Sequence, residues 1–430
     1  MKTKTARGAL ILFLLGMAAV FTACEFLMPG DALRAFGKAG LYQIIDGKRV
    51  LQETAGEINL ANALEIIRQD IVGEPVFYVI VLTKDEAVKP QYLTPLGDRT
   101  RGNEGGEGRG KYNYALKDIT VEGLNPVTIK LQPAKDRDIP LFVIGTYDEA
   151  KVWADDPNRG SITLTLGKNI RVEGSEDNPW PLIQVIAGGS LIIDGAVITG
   201  NHRLVDSARS GGGIEIFSGG TLTMNAGEIS NHSITLDPSA AGSPVWVGGG
   251  GISLNSQGAF VMKGGTITGN TVTNEKGYAT GGGILVLDHS SFMMNGGAIS
   301  ENKALSSSYI AHGGGIFLAE SSQYILTGGT VSGNEASGAE ESKGGGIYAA
   351  TNTVYTPPQG ITLTGNTPDE TNSAVSEEEN SEEEDEEDAD EEEGGDESGG
   401  EDGGDSGGDG SDGSDGGDGG DGDGGDSGDE

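Results

Sequence analysis

The chain has 430 residues and one cysteine, Cys24. A single thiol forms no internal disulfide, so a disulfide-stapled fold is excluded and the thiol needs another use. Basic residues are scarce: 28 Lys and Arg stand against 66 Asp and Glu, a formal net charge of −38. A nucleic-acid binder needs clustered Lys and Arg to displace counterions from phosphates, and no such cluster is present. Long apolar runs are also missing. The run near the N-terminus, residues 9–21, is too short to span a bilayer. Beyond Val375 the only hydrophobe is Ala389. Residues 377–430 hold 28 of the acids and no Lys or Arg, which leaves residues 1–376 a net charge of −10.

Without apolar side chains to offset ordering entropy, residues 368–430 are expected to form a disordered Glu/Asp/Gly-rich tail. Its "DGDGGD" (residues 421–426) has the closely spaced carboxylates that calcium uses. An EF-hand loop, however, needs a closing Glu and flanking helices, and calcium-binding nonapeptide repeats need a strand hydrophobe. Neither is there, so weak, diffuse cation binding by the tail is expected and no formed metal site. Nothing in the sequence calls for a cofactor.

At the other end, Lys2, Lys4 and Arg7 precede the apolar run, which suits the core of a signal peptide over residues 1–23. The run closes on "VFTAC", followed by "EFLMPGD". A cysteine directly after a small residue at this place resembles a bacterial lipoprotein signal. The resemblance implies cleavage before Cys24, acylation of Cys24 and an anchor in the membrane, each buried CH₂ contributing ~0.8 kcal/mol. The pattern departs at Phe21, where Leu is more usual. The alternative is an ordinary signal peptide with a spare cysteine. Residues 24–56 then read as a tether.

The middle of the chain repeats. "GGGI" recurs with its isoleucine at Ile214, Ile252, Ile284, Ile316 and Ile347, in steps of about 32 residues with one longer step. A second signature, ending in an aliphatic, Ser or Thr, a turn residue and usually Asn, has its aliphatic at Ile198, Ile229, Ile267, Ile299, Val331 and Leu363. Both series share the longer gap, an insertion between His232 and Gly248. Within each unit the apolar period is two: Ile316 and Leu318 flank Phe317, and Tyr324 and Leu326 flank Ile325. Short alternating runs bounded by glycine are strands, two or three per unit. A unit of this size cannot offset the ~1–2 kcal/mol per residue of backbone ordering alone, but stacked coils with parallel ladders ~4.8 Å apart share one interior.

The layout predicts an all-β, right-handed parallel β-helix (solenoid) with an N-terminal capping helix. Here the sequence resembles the pectate-lyase-like β-helix superfamily. It is also similar to the repeats of chlamydial polymorphic membrane proteins, which carry GGA-I and F-x-x-N; "FMMN" at residues 292–295 matches the second motif. The expected organisation is an N-terminal cap with irregular first coils over residues 57–159, then repeats over residues 160–367. "NLANALEIIRQDI" puts Leu60, Leu64, Ile67 and Ile71 on one helical face with Asn59 as N-cap, and "VFYVIVL" (residues 76–82) reads as a buried strand. The glycine-rich segment 99–111 reads as a loop. Gly200, Asn231, Gly269, Glu301, Gly333 and Gly365 occupy a corner position that favours φ > 0. The next position holds Asn201, His232, Asn270, Asn302, Asn334 and Asn366, a stack of side chains able to bond one another along the axis.

Many β-helix proteins cleave acidic polysaccharides, but the repeats lack the Asn-Thr-Asp, Gly-His-Gly and Arg-x-Lys patterns of polygalacturonase-like members. The four histidines, His202, His232, His289 and His312, read as turn or linker residues without a paired acid. Outward positions are Glu215, Ser253, Leu285, Phe317 and Tyr348 on one strand and Ile192, Thr223, Val261, Met293 and Ile325 on another. Exposed apolar rows mark interfaces, unless inter-repeat loops fold over them or β-propensity alone chose the residues. Loops after the Asn positions carry Trp246, Tyr278 and Tyr309, which with Phe317 and Ile325 form the expected interaction face. The expected function is a non-catalytic, lipid-anchored envelope protein, presented at the outer membrane or cell surface for adhesion to a glycan or protein. The alternatives are a polysaccharide lyase or hydrolase acting on acidic glycans, and a purely structural envelope component.

Overall fold

The structure, a computed structural model, describes residues 39–53, 58–70, 74–95, 114–132, 140–147, 161–176, 178–240, 245–287, 289–350 and 360–372. Cys24, the signal segment and residues 373–430 lie outside these, as does the glycine-rich segment 99–111. The described chain is a parallel β-helix.

Each full repeat contributes five short strands, not two or three. In the coil that begins at Ile252 they are Ile252–Leu254, Ala259–Met262, Thr266–Thr268, Thr271–Asn274 and Tyr278–Thr280. The first three enclose the main core. Ile252–Leu254 belongs to wall one, an eight-stranded ladder running from Gln91–Leu93 to Ile347–Ala349. Ala259–Met262 and Thr266–Thr268 belong to walls two and three. These two walls merge in the earlier coils, where Gly189–Thr199 and Thr221–Ser230 run through the corner with a register shift at Asp194.

Strict register stacks like on like: Ile252, Ile284 and Ile316 on wall one, Phe260, Phe292 and Tyr324 on wall two, Ile267, Ile299 and Val331 on wall three. All pack into one core, and Phe260 and Phe292 stack with centroids 5.2 Å apart. Burying each aliphatic or aromatic side chain contributes about 1.5–3 kcal/mol.

The last two strands of each repeat form a second, narrow lobe with its own small core of Val205, Ile234, Leu236, Val247, Val272, Ala279, Ala304, Ala311 and Ala336. An outgoing ladder and a return ladder, five strands each, make its two sides. The insertion between His232 and Gly248 lies here: Ser233–Leu236 and Trp246–Gly248 are ordinary rungs, and the additional residues join them.

Two sequence features meet at the waist between the lobes. On one strand run the stacked amides. Asn270 Nδ2 donates to Asn302 Oδ1 at 2.9 Å and to the Ile229 carbonyl at 3.1 Å, and Asn302 and Asn334 repeat the pattern one coil on. The corner residues before them all have positive φ, between 53° and 67°. On the facing strand lies GGG. A Cβ on Gly283 would stand 3.0 Å from the Asn302 amide, and one on Gly282 would stand 2.5 Å from the Lys303 backbone. Three glycines are therefore a packing requirement of the waist. His232 takes an Asn place. Its Nδ1 accepts from the Asn201 N–H at 3.2 Å and its Nε2–H donates to the Ile198 carbonyl at 3.0 Å. Burial holds its pKa down at about 3.

The N-terminal end of the solenoid is covered. The helix Leu60–Gln69 starts at Asn59, whose side chain accepts from the Asn62 N–H at 2.8 Å. Leu60, Ala63, Leu64 and Ile67 join the main core, so the helix plugs the first coil; Ile71 is outside the described residues. Buried Lys117 donates from Nζ to the carbonyls of Ile67 and Asp70 at 2.6 Å each, satisfying the helix C-terminus. The segment read as a tether contains a hairpin, Gly40–Ile45 with Lys48–Glu53. Its first strand pairs antiparallel with Val76–Leu82 and covers an otherwise open edge. The tail boundary shifts as well. Residues 367–372 bridge to the last coil at Glu335 and Ile347, and Asn372 exchanges two hydrogen bonds with the Ala349 backbone.

Candidate functional site

On one side of the waist wall one faces the return ladder of the narrow lobe, and the groove between them is closed at Ser253 and Leu285. The outer face of wall one is its first side. Register aligns Tyr92, Val143, Gln184, Glu215, Ser253, Leu285, Phe317 and Tyr348 in one column there. The return ladder of the narrow lobe is the second side. Ala279 and Ala311 point into the lobe, so the two-residue period turns Trp246, Tyr278, Thr280 and His312 the other way. The two sides touch. A Cβ on Gly248 would stand 2.9 Å from Leu285 Cδ2, and the His312 ring stacks on Tyr348 at 4.0 Å and 11°.

Of the two readings of the wall-one row, an exposed interface or a row covered by the inter-repeat segments, this contact supports the second. The narrow lobe folds over it, and Ser253 and Leu285 are fully buried. In the second outward row Ile192, Met293 and Ile325 are half-buried on the outer face of wall two, with Thr223 and Val261 buried between them.

The groove gathers four of the five residues expected to form an interaction face. Trp246 is 38% exposed and sits in register with Tyr278 on the next coil. Tyr309 lies beyond Tyr278, ring centroids 6.0 Å apart. These three form an aromatic rim. Phe317 is on the floor, stacked beneath Tyr348 at 5.1 Å. Ile325 belongs to wall two and takes no part.

At the C-terminal end of the groove the histidine reading is corrected. His312 is a strand residue, not a turn residue, and its Nε2–H donates to Glu341 Oε1 at 2.6 Å. Glu341 also pairs with Lys343 at 2.9 Å. Burial holds the His312 imidazole below its ordinary pKa, with the Glu341 hydrogen bond opposing. The hydrogen bonds from Lys343 and His312 hold Glu341 below the usual carboxylate range. Tyr348 is raised, chiefly by burial and further by Glu341. The pair was invisible to a search for local spacing because 29 residues separate its members. The repeat register finds it: one coil carries Ile310 to Glu341 and His312 to Lys343.

The N-terminal end is polar. Tyr147 Oη donates to Gln184 Oε1 at 2.8 Å, and Gln184 Nε2 donates to Glu215 Oε2 at 2.7 Å. Burial pushes the Glu215 carboxyl up, against the hydrogen bond from Gln184 and the field of Arg203. Buried Arg203 donates to the carbonyls of Pro179, Ser210 and Gly211. His202 departs from the turn or linker reading as well, since it opens the strand His202–Val205, bonds Ser233 and has Glu176 Oε1 3.7 Å from its Nε2; His232 is in the ladder, and His289 occupies a turn with φ of 59°.

Among the described residues no group of three or more His, Cys, Asp and Glu is placed to hold a metal ion, and no helix is long and apolar enough to cross a membrane. Comparison with family models, with curated proteins and with solved structures returns no match in any of the three.

Proposed function

We propose that this chain is a non-catalytic β-helix protein of the bacterial envelope, anchored through acylated Cys24 and displaying the groove to a glycan or protein partner. The observation that supports it best is the rim of Trp246, Tyr278 and Tyr309, repeated on successive coils beside the groove floor. Aromatic side chains at such a place supply large contact area at low entropic cost. On this reading the solenoid is a rigid stalk that fixes the groove, and kinship with pectate-lyase-like β-helices or chlamydial repeat proteins is one of shared architecture. A pull-down with the full chain against host-matrix and bacterial envelope fractions tests the interaction. Mass spectrometry of the mature N-terminus tests the anchor, and an unmodified Cys24 removes it.

A second reading, a polysaccharide lyase or hydrolase, draws on one observation: His312, Glu341, Lys343 and Tyr348 form a charged cluster at the C-terminal end of the groove. Turnover of uronate polymers, with or without calcium, that survives purification and is lost in His312→Ala would replace the first reading with this one.

A further inference from the structure

The wall-one column carries its one amide and its one carboxylate side by side. Gln184 and Glu215 stand between Val143 on one side and Ser253 and Leu285 on the other. The narrow lobe seals the column at Ser253 and Leu285, and Gln184 is buried too, but Glu215, Asn255, Tyr147 and Phe217 remain half-buried. A β-helix wall has no structural need for a carboxylate at a half-buried outward position, and desolvating it costs free energy.

The surroundings of Glu215 are specific. Gln184 and Asn255 present amides to it, at 2.7 Å and 3.5 Å. Tyr147 and Phe217 lie beside this row, ring centroids 6.0 Å apart and planes inclined at 41°. Next to Glu215 in register, the Ser253 hydroxyl is fully buried and finds no hydrogen-bond partner among the described residues. Aromatic rings beside hydrogen-bonded amide and carboxylate groups suit a ligand with apolar ring faces and hydroxyls on its edges.

We infer that the N-terminal end of the groove is a subsite for a neutral sugar ring, seated against Tyr147 and Phe217, with Glu215 and Asn255 bonding its hydroxyls and buried Gln184 holding the carboxylate in place. The inference rests on the reading of the groove as an interaction surface and adds the class of ligand. Charge makes the choice among ligands. An anionic sugar would bring a second carboxylate beside Glu215 in a body of net charge −10. A cation would meet the fields of Arg203 and Arg209, both acting on Glu215. A neutral polyol meets neither penalty, and its hydroxyls are donors to a carboxylate, the stronger kind of hydrogen bond.

The test uses the immobilised full chain and short neutral oligosaccharides of glucose, galactose, mannose and N-acetylglucosamine, with galacturonate oligomers as the anionic probe. At least one neutral oligomer is expected to bind at least tenfold more tightly than the uronates. Glu215→Gln and Tyr147→Ala are each expected to weaken it by about tenfold. Tyr147→Ala also removes the donor to Gln184, so Tyr147→Phe, which loses the same hydrogen bond but keeps the ring, is measured beside it: Tyr147→Phe is expected to keep the affinity that Tyr147→Ala loses, which separates ring recognition from folding. No neutral oligomer bound, preference for uronates, or affinity unchanged in both Glu215→Gln and Tyr147→Ala overturns the inference. If the chain retains envelope or matrix components through Trp246 and Tyr278 but no neutral oligosaccharide, the sugar subsite falls and the interaction surface stands. If it retains nothing at all, both fall.

Discussion

His232 gives the stacked-side-chain waist a titratable member, and acid should find it. In the folded chain burial keeps the imidazole neutral down to about pH 3, with the field of His202 acting the same way and the hydrogen bond to the Ile198 carbonyl opposing. In the unfolded chain it takes a proton near its ordinary value of 6.5. The unfolded state therefore binds more protons between these two values. Stability from this residue is complete above pH 6.5 and falls as the pH drops toward 3. The slope is ~1.36 kcal/mol per pH unit, so the loss is about 2 kcal/mol at pH 5 and on the order of 5 kcal/mol at its limit. Carboxylates add their own acid dependence, and His232→Asn isolates the histidine. An amide there can accept from Asn201 and donate to Ile198, as its neighbours in the ladder do, and it does not titrate. Urea midpoints followed by far-ultraviolet circular dichroism at pH 7, 6 and 5 should diverge, wild type falling faster than His232→Asn. Midpoints are the right measure because stacked repeats need not unfold in one step. Parallel curves would refute the burial and bonding assigned to His232.

Further predictions follow from the waist and the cap. Asn302→Ala leaves the Ile267 carbonyl and the Asn270 N–H without their bonds and should cost about 3 kcal/mol in chemical melts; Asn302→Asp should not restore it, since it cannot donate to Ile267. Gly282→Ala, whose methyl would meet the Lys303 backbone, should lower the melting temperature far more than Gly219→Ala, which meets nothing within 4 Å and bears only the strain of a φ of 80°. Lys117→Met removes the donor to two helix carbonyls and should speed amide exchange in the helix Leu60–Gln69 while leaving distant coils protected.

The solenoid was legible because its period is written twice, in GGGI and in the aliphatic-to-Asn signature, and both series share the same longer step. The corner residues and the amide ladder were legible for the same reason, since only Gly and a few side chains tolerate φ > 0 and only stackable side chains recur beside them. The narrow lobe was not. Its strands are two to four residues long, and its inward positions are small residues such as Ala279, Ala304, Ala311 and Ala336, so the hydrophobic alternation is too faint to mark strands. That omission left the wall-one row undecided between exposed and covered, because its cover was counted as loop. The hairpin at residues 40–53 was missed because Lys48, Arg49, Gln52 and Glu53 dilute its alternation. The aromatic rim was found from residue type alone. Glu215 was found as an outward residue, but its bonds to Gln184 and Asn255 join neighbouring coils and need the register to be seen.

The central claim is that the groove is an interaction surface. The most direct measurement is the retention of host-matrix and envelope fractions by the immobilised full chain, compared with a Trp246→Ala/Tyr278→Ala double variant of unchanged urea midpoint. The account predicts a partner retained by the wild type and bound about tenfold or more weakly by the variant. Equal retention by the two proteins would contradict it.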